Sequence, residues 1–256
     1  MTWFMGIDIG SSTCKGVLLN NEGVEEYYST PSGNQYAKAA QVIRDGLLKK
    51  AGVLENEIAG VVSTGHGAGL VPFSERHVDP VWCCGKGMNY VLPSVRTVID
   101  VQNQSVQVIV LGNNGQVLDL VVSEKCATGS GVFVDIVANV LQIKVEDIGP
   151  LSLKSVNPVV FSTGCAVFGE SETVSRVAEG VAKEDILAGV HNAITGVIIN
   201  LTKRLDPQHP FAISGGGGLN IGLIHSLEKA GIELLVPPNP EFVNAIGAAL
   251  IARNAD

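Results

Sequence analysis

The sequence predicts an α/β protein of two duplicated lobes, each a mixed sheet flanked by helices. Two observations carry that reading. The first is an internal repeat. Ile7-Asp8-Ile9-Gly10 leads into Val17-Leu18-Leu19-Asn20-Asn21-Glu22-Gly23, and Ile99-Asp100-Val101 leads into Val108-Ile109-Val110-Leu111-Gly112-Asn113-Asn114-Gly115. The Ile-Asp pair and the turn glycine both recur 92 residues later, from Ile7 to Ile99 and from Gly23 to Gly115. A repeat in register points to a duplicated unit. The second is length: 256 residues suffice for two domains of about 100 to 150 residues, each with its own core.

The elements follow in order. Ile7–Gly10 begins a strand, and Val17–Leu19 is its hairpin partner, turning through an Asn/Gly-type sequence. A further strand and a helical segment over 37–51 come next, and the first half ends near Pro93. The expected lobes are therefore 1–94 and 95–256, with the last helix a candidate to pack back on the first lobe. In the second half, Phe133, Ile136, Val137 and Val140 mark a helix over 132–141 by their spacing. Val167, Val174 and Val177 mark another, and Ile224 with Leu227 a third, after the apolar strand Ala212-Ile213-Ser214 has run into four glycines.

Composition excludes several function classes. A net charge of −8 and no Lys/Arg cluster argue against nucleic-acid binding by electrostatics. The N-terminus has no basic region followed by an apolar run, and no uncharged apolar run reaches the roughly 18 residues of a membrane span. A cytoplasmic protein with no membrane partner is expected. Five cysteines, Cys14, Cys83, Cys84, Cys126 and Cys165, are odd in number and irregular in spacing, which does not suit a disulfide framework.

Four segments carry candidate chemistry. In Asp8-Ile9-Gly10-Ser11-Ser12-Thr13-Cys14-Lys15 the glycine and small side chains let backbone N–H groups approach phosphate oxygens. Lys15 adds a charge, and Asp8 is placed to hold Mg²⁺ through water. A plain hairpin with a polar turn is the alternative. In Gly215-Gly216-Gly217-Gly218-Leu219-Asn220 the bare backbone leaves room for a flat ligand such as adenine and ribose, with a flexible linker as the alternative. Cys126 and Cys165 each precede a helix-like run. A helix N-terminus lowers a thiol's pKa and favours an anionic ligand cluster, whereas the competing reading makes both cysteines buried and inert. Cys83 and Cys84 read as packing residues, since adjacent cysteines seldom ligate one metal together, and Cys14 as pointing into the lobe. His66 reads as a solvated loop histidine; His77, His191, His209 and His225 have no assigned role.

Taken together, several segments resemble the BadF/BadG/BcrA/BcrD-type ATPases of the actin, heat-shock chaperone and sugar kinase superfamily. They are Gly6-Ile7-Asp8-Ile9-Gly10-Ser11, Lys125-Cys126-Ala127-Thr128-Gly129-Ser130-Gly131, Ser162-Thr163-Gly164-Cys165-Ala166-Val167-Phe168, Gly215-Gly216 with Asn220, and Ala245-Ile246-Gly247-Ala248. The resemblance implies two actin-like (ribonuclease H-like) lobes with a nucleotide cleft between them. It implies ATP/ADP and Mg²⁺, and a [4Fe–4S] cluster shared between two subunits through Cys126 and Cys165. A homodimer, or a heterodimer with a related subunit, would take electrons from a ferredoxin or flavodoxin. It would deliver them at low potential to a 2-hydroxyacyl-CoA dehydratase or benzoyl-CoA reductase. Asp8, Asp100 and Gln104 would be catalytic; Gly10, Ser11, Ser12, Thr13, Lys15, Gly129, Gly215, Gly216, Gly218, Asn220 and Gly247 would bind the nucleotide.

Two segments depart from the family pattern. One is the turn Gly65-His66-Gly67-Ala68-Gly69, in a loop that the resemblance places near the nucleotide and that usually reads Gly-Tyr-Gly-Arg; the other is the second phosphate loop. Where the second phosphate loop usually reads Asp-hydrophobic-Gly-Gly-Gln-Asp, this chain has Asp100-Val101-Gln102-Asn103-Gln104-Ser105. Cβ atoms there obstruct backbone approach to phosphate, and a carboxylate that could place Mg²⁺ or water is missing. Slow, altered or absent hydrolysis is therefore the second reading: a nucleotide-binding subunit that partners an intact relative. A small-molecule kinase is a third, against which no Asp base stands in a substrate loop.

Overall fold

The computed structural model describes residues 2–123, 130–161 and 166–254. The chain divides into two compact units, one of Met1–Val95, Leu111–Leu118 and Pro237–Asp256, the other of Arg96–Val110 and Asp119–Val236.

The first unit contains β1 (Trp3–Ile9), β2 (Thr13–Leu19), β3 (Val24–Pro31), α1 (Tyr36–Ala51), β4 (Ile58–Thr64), β5 (Arg76–His77) and α2 (Pro80–Val91). Its sheet runs β3-β2-β1-β4-β5, with β2 antiparallel and β4 parallel to β1. β1 is almost continuously buried, as expected of a central strand covered on both faces. α1 turns Ala39, Ala40, Ile43 and Leu47 into the core and stops at Gly52, whose left-handed backbone (φ 66°) lets its N–H reach the Leu48 carbonyl. Asp79 starts α2 by accepting a hydrogen bond from the Val81 N–H at 2.9 Å, with Pro80 in the first helical position.

The second unit contains β6 (Thr97–Val101), most of β7 (Val106–Leu111) and of β8 (Val117–Val122), α3 (Gly131–Leu141), α4 (Val145–Ser152), α5 (Ala166–Ala178), α6 (Lys183–Thr202), β9 (Phe211–Ser214), α7 (Ile221–Lys229) and β10 (Leu234–Leu235). Its sheet order, β8-β7-β6-β9-β10, repeats the first strand for strand, with β7 antiparallel and β9 parallel to β6. The 92-residue repeat is thus a repeat of topology, and the chain is a pair of mixed five-stranded sheets flanked by helices. Phe133, Val137, Ile186, Val190, Ile194, Ile213 and Leu227 belong to one continuous core. α6 is long and apolar enough, by length and composition, to cross a membrane, but here it is a core helix, with Ile186, Leu187, Val190, Ile194 and Ile198 buried.

The last helix, α8 (Val243–Arg253), is buried in the first unit and packs backbone to backbone there. A Cβ on Gly6 would strike the Ala245 carbonyl oxygen, one on Gly87 that of Val243, and one on Gly247 that of Cys83. Contact at this range needs small residues at the interface, and Ala245, Ala248 and Ala249 supply the rest.

α5 forms where the spacing of Val167, Val174 and Val177 marked a helix. Val174 and Val177 are exposed, however, and Phe168 is 66% exposed. The helix faces its core through Gly169, where a Cβ would lie 2.6 Å from the Phe133 ring, and through fully buried Thr173.

Candidate functional site

The duplication places one aspartate at the same point in each lobe, the carboxyl end of the first strand, where α/β sheets bind ligands. Asp8 stands opposite Lys15 on β2 and Thr64 on β4. Asp100 stands opposite Gln107 on β7 and Ser214 on β9. Each fourth strand then breaks through a glycine in the left-handed region, Gly65 at φ 88° and Gly215 at φ 75°. In both cases an added Cβ would run into the aspartate Oδ1 and into the carbonyl of the next residue, Ile9 or Val101. Only glycine meets both the dihedral and the space requirement.

Around Asp8 the turn is built from backbone. Ser32 Oγ donates to the Gly10 carbonyl at 2.6 Å, and the Ser32 N–H donates to Ser12 O at 2.9 Å. The Gly67 N–H donates to Ile9 O at 3.0 Å, tying the Gly65–Gly67 turn to the end of β1. Gly10 leaves no room for a Cβ, which would sit 2.7 Å from Thr13 O. Ser11, Thr13 and Lys15 are half-buried and Ser12 is exposed, with Lys15 Nζ 3.4 Å from Thr13 O. Cys14 points inward, fully buried beside Ser32, and burial raises its thiol pKa. His66 is exposed on the same turn and meets Tyr36 edge to face.

The Asp100 site is furnished differently. Its carboxylate is wholly buried; Oδ2 accepts from Gln102 Nε2 at 2.6 Å and from Gln107 Nε2 at 2.9 Å, while Oδ1 accepts from Ser214 Oγ at 2.9 Å. Three neutral donors therefore engage both oxygens. The turn beyond closes with the Gln102 N–H donating to Ser105 O at 2.9 Å, leaving Gln104 exposed at its tip. Sequence reasoning named Asp100 and Gln104 and missed Gln107 and Ser214. The repeat held the signal, because Gln107 lies 92 residues after Lys15, and Ser214 precedes Gly215 as Thr64 precedes Gly65.

The glycine run is ordered rather than a linker. It forms a single 3₁₀ turn over Gly216–Leu219; Gly218 is buried, and Gly216 faces open space where a Cβ would stand. Asn220 caps α7, its Oδ1 accepting from the Gly222 and Leu223 N–H groups at 3.1 and 3.2 Å. Its Nδ2 donates to His191 Nε2 at 2.9 Å. His191 is 1% exposed, and burial pushes its pKa down to about 4, so the ring is neutral with its proton on Nδ1. Nothing in the sequence assigned this histidine a role. Gly247 is set apart from the other candidate ligand glycines: it lies in α8 against α2, where its missing side chain admits the Cys83 carbonyl.

Cys126, Cys165 and Gly129 lie outside the described residues. The remaining thiols are unsuited to metal ligation. Cys83 and Cys84 are fully buried in α2, and burial pushes Cys83 up to about 12. Among the described residues no three His, Cys, Asp or Glu side chains converge on a possible metal site.

Comparison with known proteins points to one family. The 2-hydroxyisocaproyl-CoA dehydratase activator of Clostridioides difficile is 34% identical over 250 residues, covering 97% of this chain and 94% of that protein. One of the benzoyl-CoA reductase subunits of Thauera aromatica is 30% identical over 262 residues, covering 98% of this chain and 93% of that one. A solved structure of the activator of the 2-hydroxyisocaproyl-CoA dehydratase from Clostridium difficile with bound ADPNP superposes with a TM-score of 0.94 at 33% identity, over 99% of this chain and 95% of that one. Residues 5–252 match the BadF/BadG/BcrA/BcrD ATPase family, and the chain belongs to it.

Proposed function

We propose that this protein is a nucleotide-dependent iron–sulfur electron carrier of the cytoplasm that activates a CoA-ester dehydratase or reductase. The observation that carries this reading is the paired strand-end geometry, Asp8 with Gly65 and Asp100 with Gly215, in a chain whose relatives include a dehydratase activator and a reductase component along nearly their whole length. The turn from Gly10 to Thr13 suits phosphate oxygens, with Lys15 as a positive charge and Asp8 as a Mg²⁺ holder through water. The turn from Gly215 to Asn220 suits the adenosine.

A [4Fe–4S] cluster would supply one-electron transfer at low potential. The donor chemistry fits two thiolates per chain and no more. Cys14, Cys83 and Cys84 are buried, which leaves Cys126 and Cys165. Four irons normally need four thiolates, so the cluster would lie on the axis of a symmetric dimer or between this chain and a related subunit. Exposed Val156, Val160 and Phe168, close in sequence to Cys165, supply apolar surface of the kind a second subunit covers. A ferredoxin or flavodoxin would be the donor.

Anaerobically reconstituted protein tests this directly. It should be brown, with about four irons per dimer. Cys126→Ala and Cys165→Ala should each remove the chromophore, and Cys83→Ala should leave it. Colourless wild-type protein rejects the reading.

The Asp100 site favours a second reading of turnover. A carboxylate engaged by Gln102, Gln107 and Ser214 is poorly placed to orient water or metal, so the chain would bind nucleotide and hydrolyse it slowly. ADP release by the pure protein decides; a rate equal to that of the Clostridioides relative excludes slow hydrolysis.

A further inference from the structure

We infer that Gln102 is a positioning residue that carries nucleotide occupancy at the second phosphate loop to helix α3. This inference rests on the nucleotide reading above and goes beyond it by naming the connecting part.

Three polar groups of Gln102 are engaged, each with a different partner. Its Nε2 donates to Asp100 Oδ2 at 2.6 Å, its N–H donates to Ser105 O at 2.9 Å, and its carbonyl accepts from the Gly131 N–H at 3.0 Å. The neighbouring Asn103 carbonyl accepts from the Val132 N–H at 2.8 Å. Gly131 and Val132 are the first two residues of α3, whose N-terminal N–H groups have no partner within the helix. Ser130 at the N-cap makes no side-chain cap bond. The loop carbonyls therefore act as the cap.

The fit is close. A Cβ on Gly131 would lie 3.0 Å from Asn103 Oδ1 and 3.1 Å from Asn103 Cα, so the helix start is seated on the loop with no slack between them. Displacement of Gln102 must either carry the first turn of α3 with it or break both cap bonds. α3 begins five residues after Cys126. Glycine in this position would offer the carbonyl but no side chain. Here the Gln102 amide adds a rigid tie from α3, through the loop, to the buried Asp100 and so to β6. A phosphate or Mg²⁺ that draws on Asp100 competes with that amide, and the consequence is felt at Gly131.

The test is amide hydrogen exchange of the full-length protein, reconstituted anaerobically, over residues 130–135 with ADP and with its non-hydrolysable imido-triphosphate analogue. In the wild type the exchange rates in the two states should differ by about fivefold or more, the usual lower range of coupling between sites. In Gln102→Ala, compared with the wild type at saturating nucleotide, the difference at 130–135 should fall below about twofold. Gln102→Met, which keeps the side-chain length but cannot donate, should lose the difference equally, separating the hydrogen bond from mere packing. Retention of the wild-type difference in both variants overturns the inference and leaves the nucleotide reading standing, because binding is measured in the same samples. A wild type that binds nucleotide without any difference at 130–135 also overturns it. Failure of the wild type to bind either nucleotide removes the reading and the inference together.

Discussion

Gln107 faces Asp100 across the β6–β7 ladder and donates to its Oδ2 at 2.9 Å, at the register where Lys15 faces Asp8 across β1–β2. The two lobes share a backbone device and differ in the charge opposite the aspartate. A lysine can neutralise a carboxylate or hand it to a ligand. An amide only satisfies it.

The Asp100 cluster should be a stability element. Asp100→Asn leaves a single acceptor oxygen for three donors and adds an amide that must itself be paired. A buried donor left without its partner costs about 1–3 kcal/mol. The urea midpoint should fall by an equivalent amount. A midpoint unchanged from wild type shows that the three hydrogen bonds contribute nothing net.

Gly215→Ala and Gly65→Ala should both destabilise the protein by at least about 2 kcal/mol, since each combines a left-handed backbone with a collision against its aspartate. Gly216→Ala provides the contrast. Its Cβ meets nothing, so stability should change by less than about 0.5 kcal/mol, while nucleotide affinity measured by calorimetry should weaken. Equal stability loss in all three variants contradicts the assignment of Gly216 to the ligand face.

His191 should make the second unit sensitive to acid. Its folded pKa of about 4 lies below the ordinary 6.5, so between these values the unfolded chain binds a proton that the folded chain refuses. Its contribution is fully present above pH 6.5 and is lost as pH falls toward 4, by up to about 3 kcal/mol. Protonation also sets Nε2–H against the Asn220 amide that now donates to it. In His191→Gln the denaturation midpoint should depend less on pH between 7 and 5 than in the wild type. Parallel pH profiles for the two proteins would show that this ring is not the source.

Much of the fold was legible because it is local. The Ile7/Ile99 repeat, the helices α1, α3 and α7, and the break of β9 into glycines are periodicities and turn preferences that a short window of sequence encodes. The candidate site was half legible. Asp8, Asp100 and the glycines stand at strand ends and can be read from their own segments. Gln107 and Ser214 could not be read that way, because their contact with Asp100 exists only once β7 and β9 have paired with β6. His191 was equally silent, since a histidine on an apolar helix acquires a role only when α7 brings Asn220 against it.

By itself, then, the sequence determined the element types, the duplication and the position of each strand-end aspartate. Tertiary structure decided what surrounds those aspartates, which face of α5 is covered and why α8 is built of alanine and glycine. The physical reason is range. Propensity, capping and turn chemistry act over a few residues. A buried carboxylate's partners, like two backbones packed at van der Waals contact, are chosen by segments that meet only after the chain has folded.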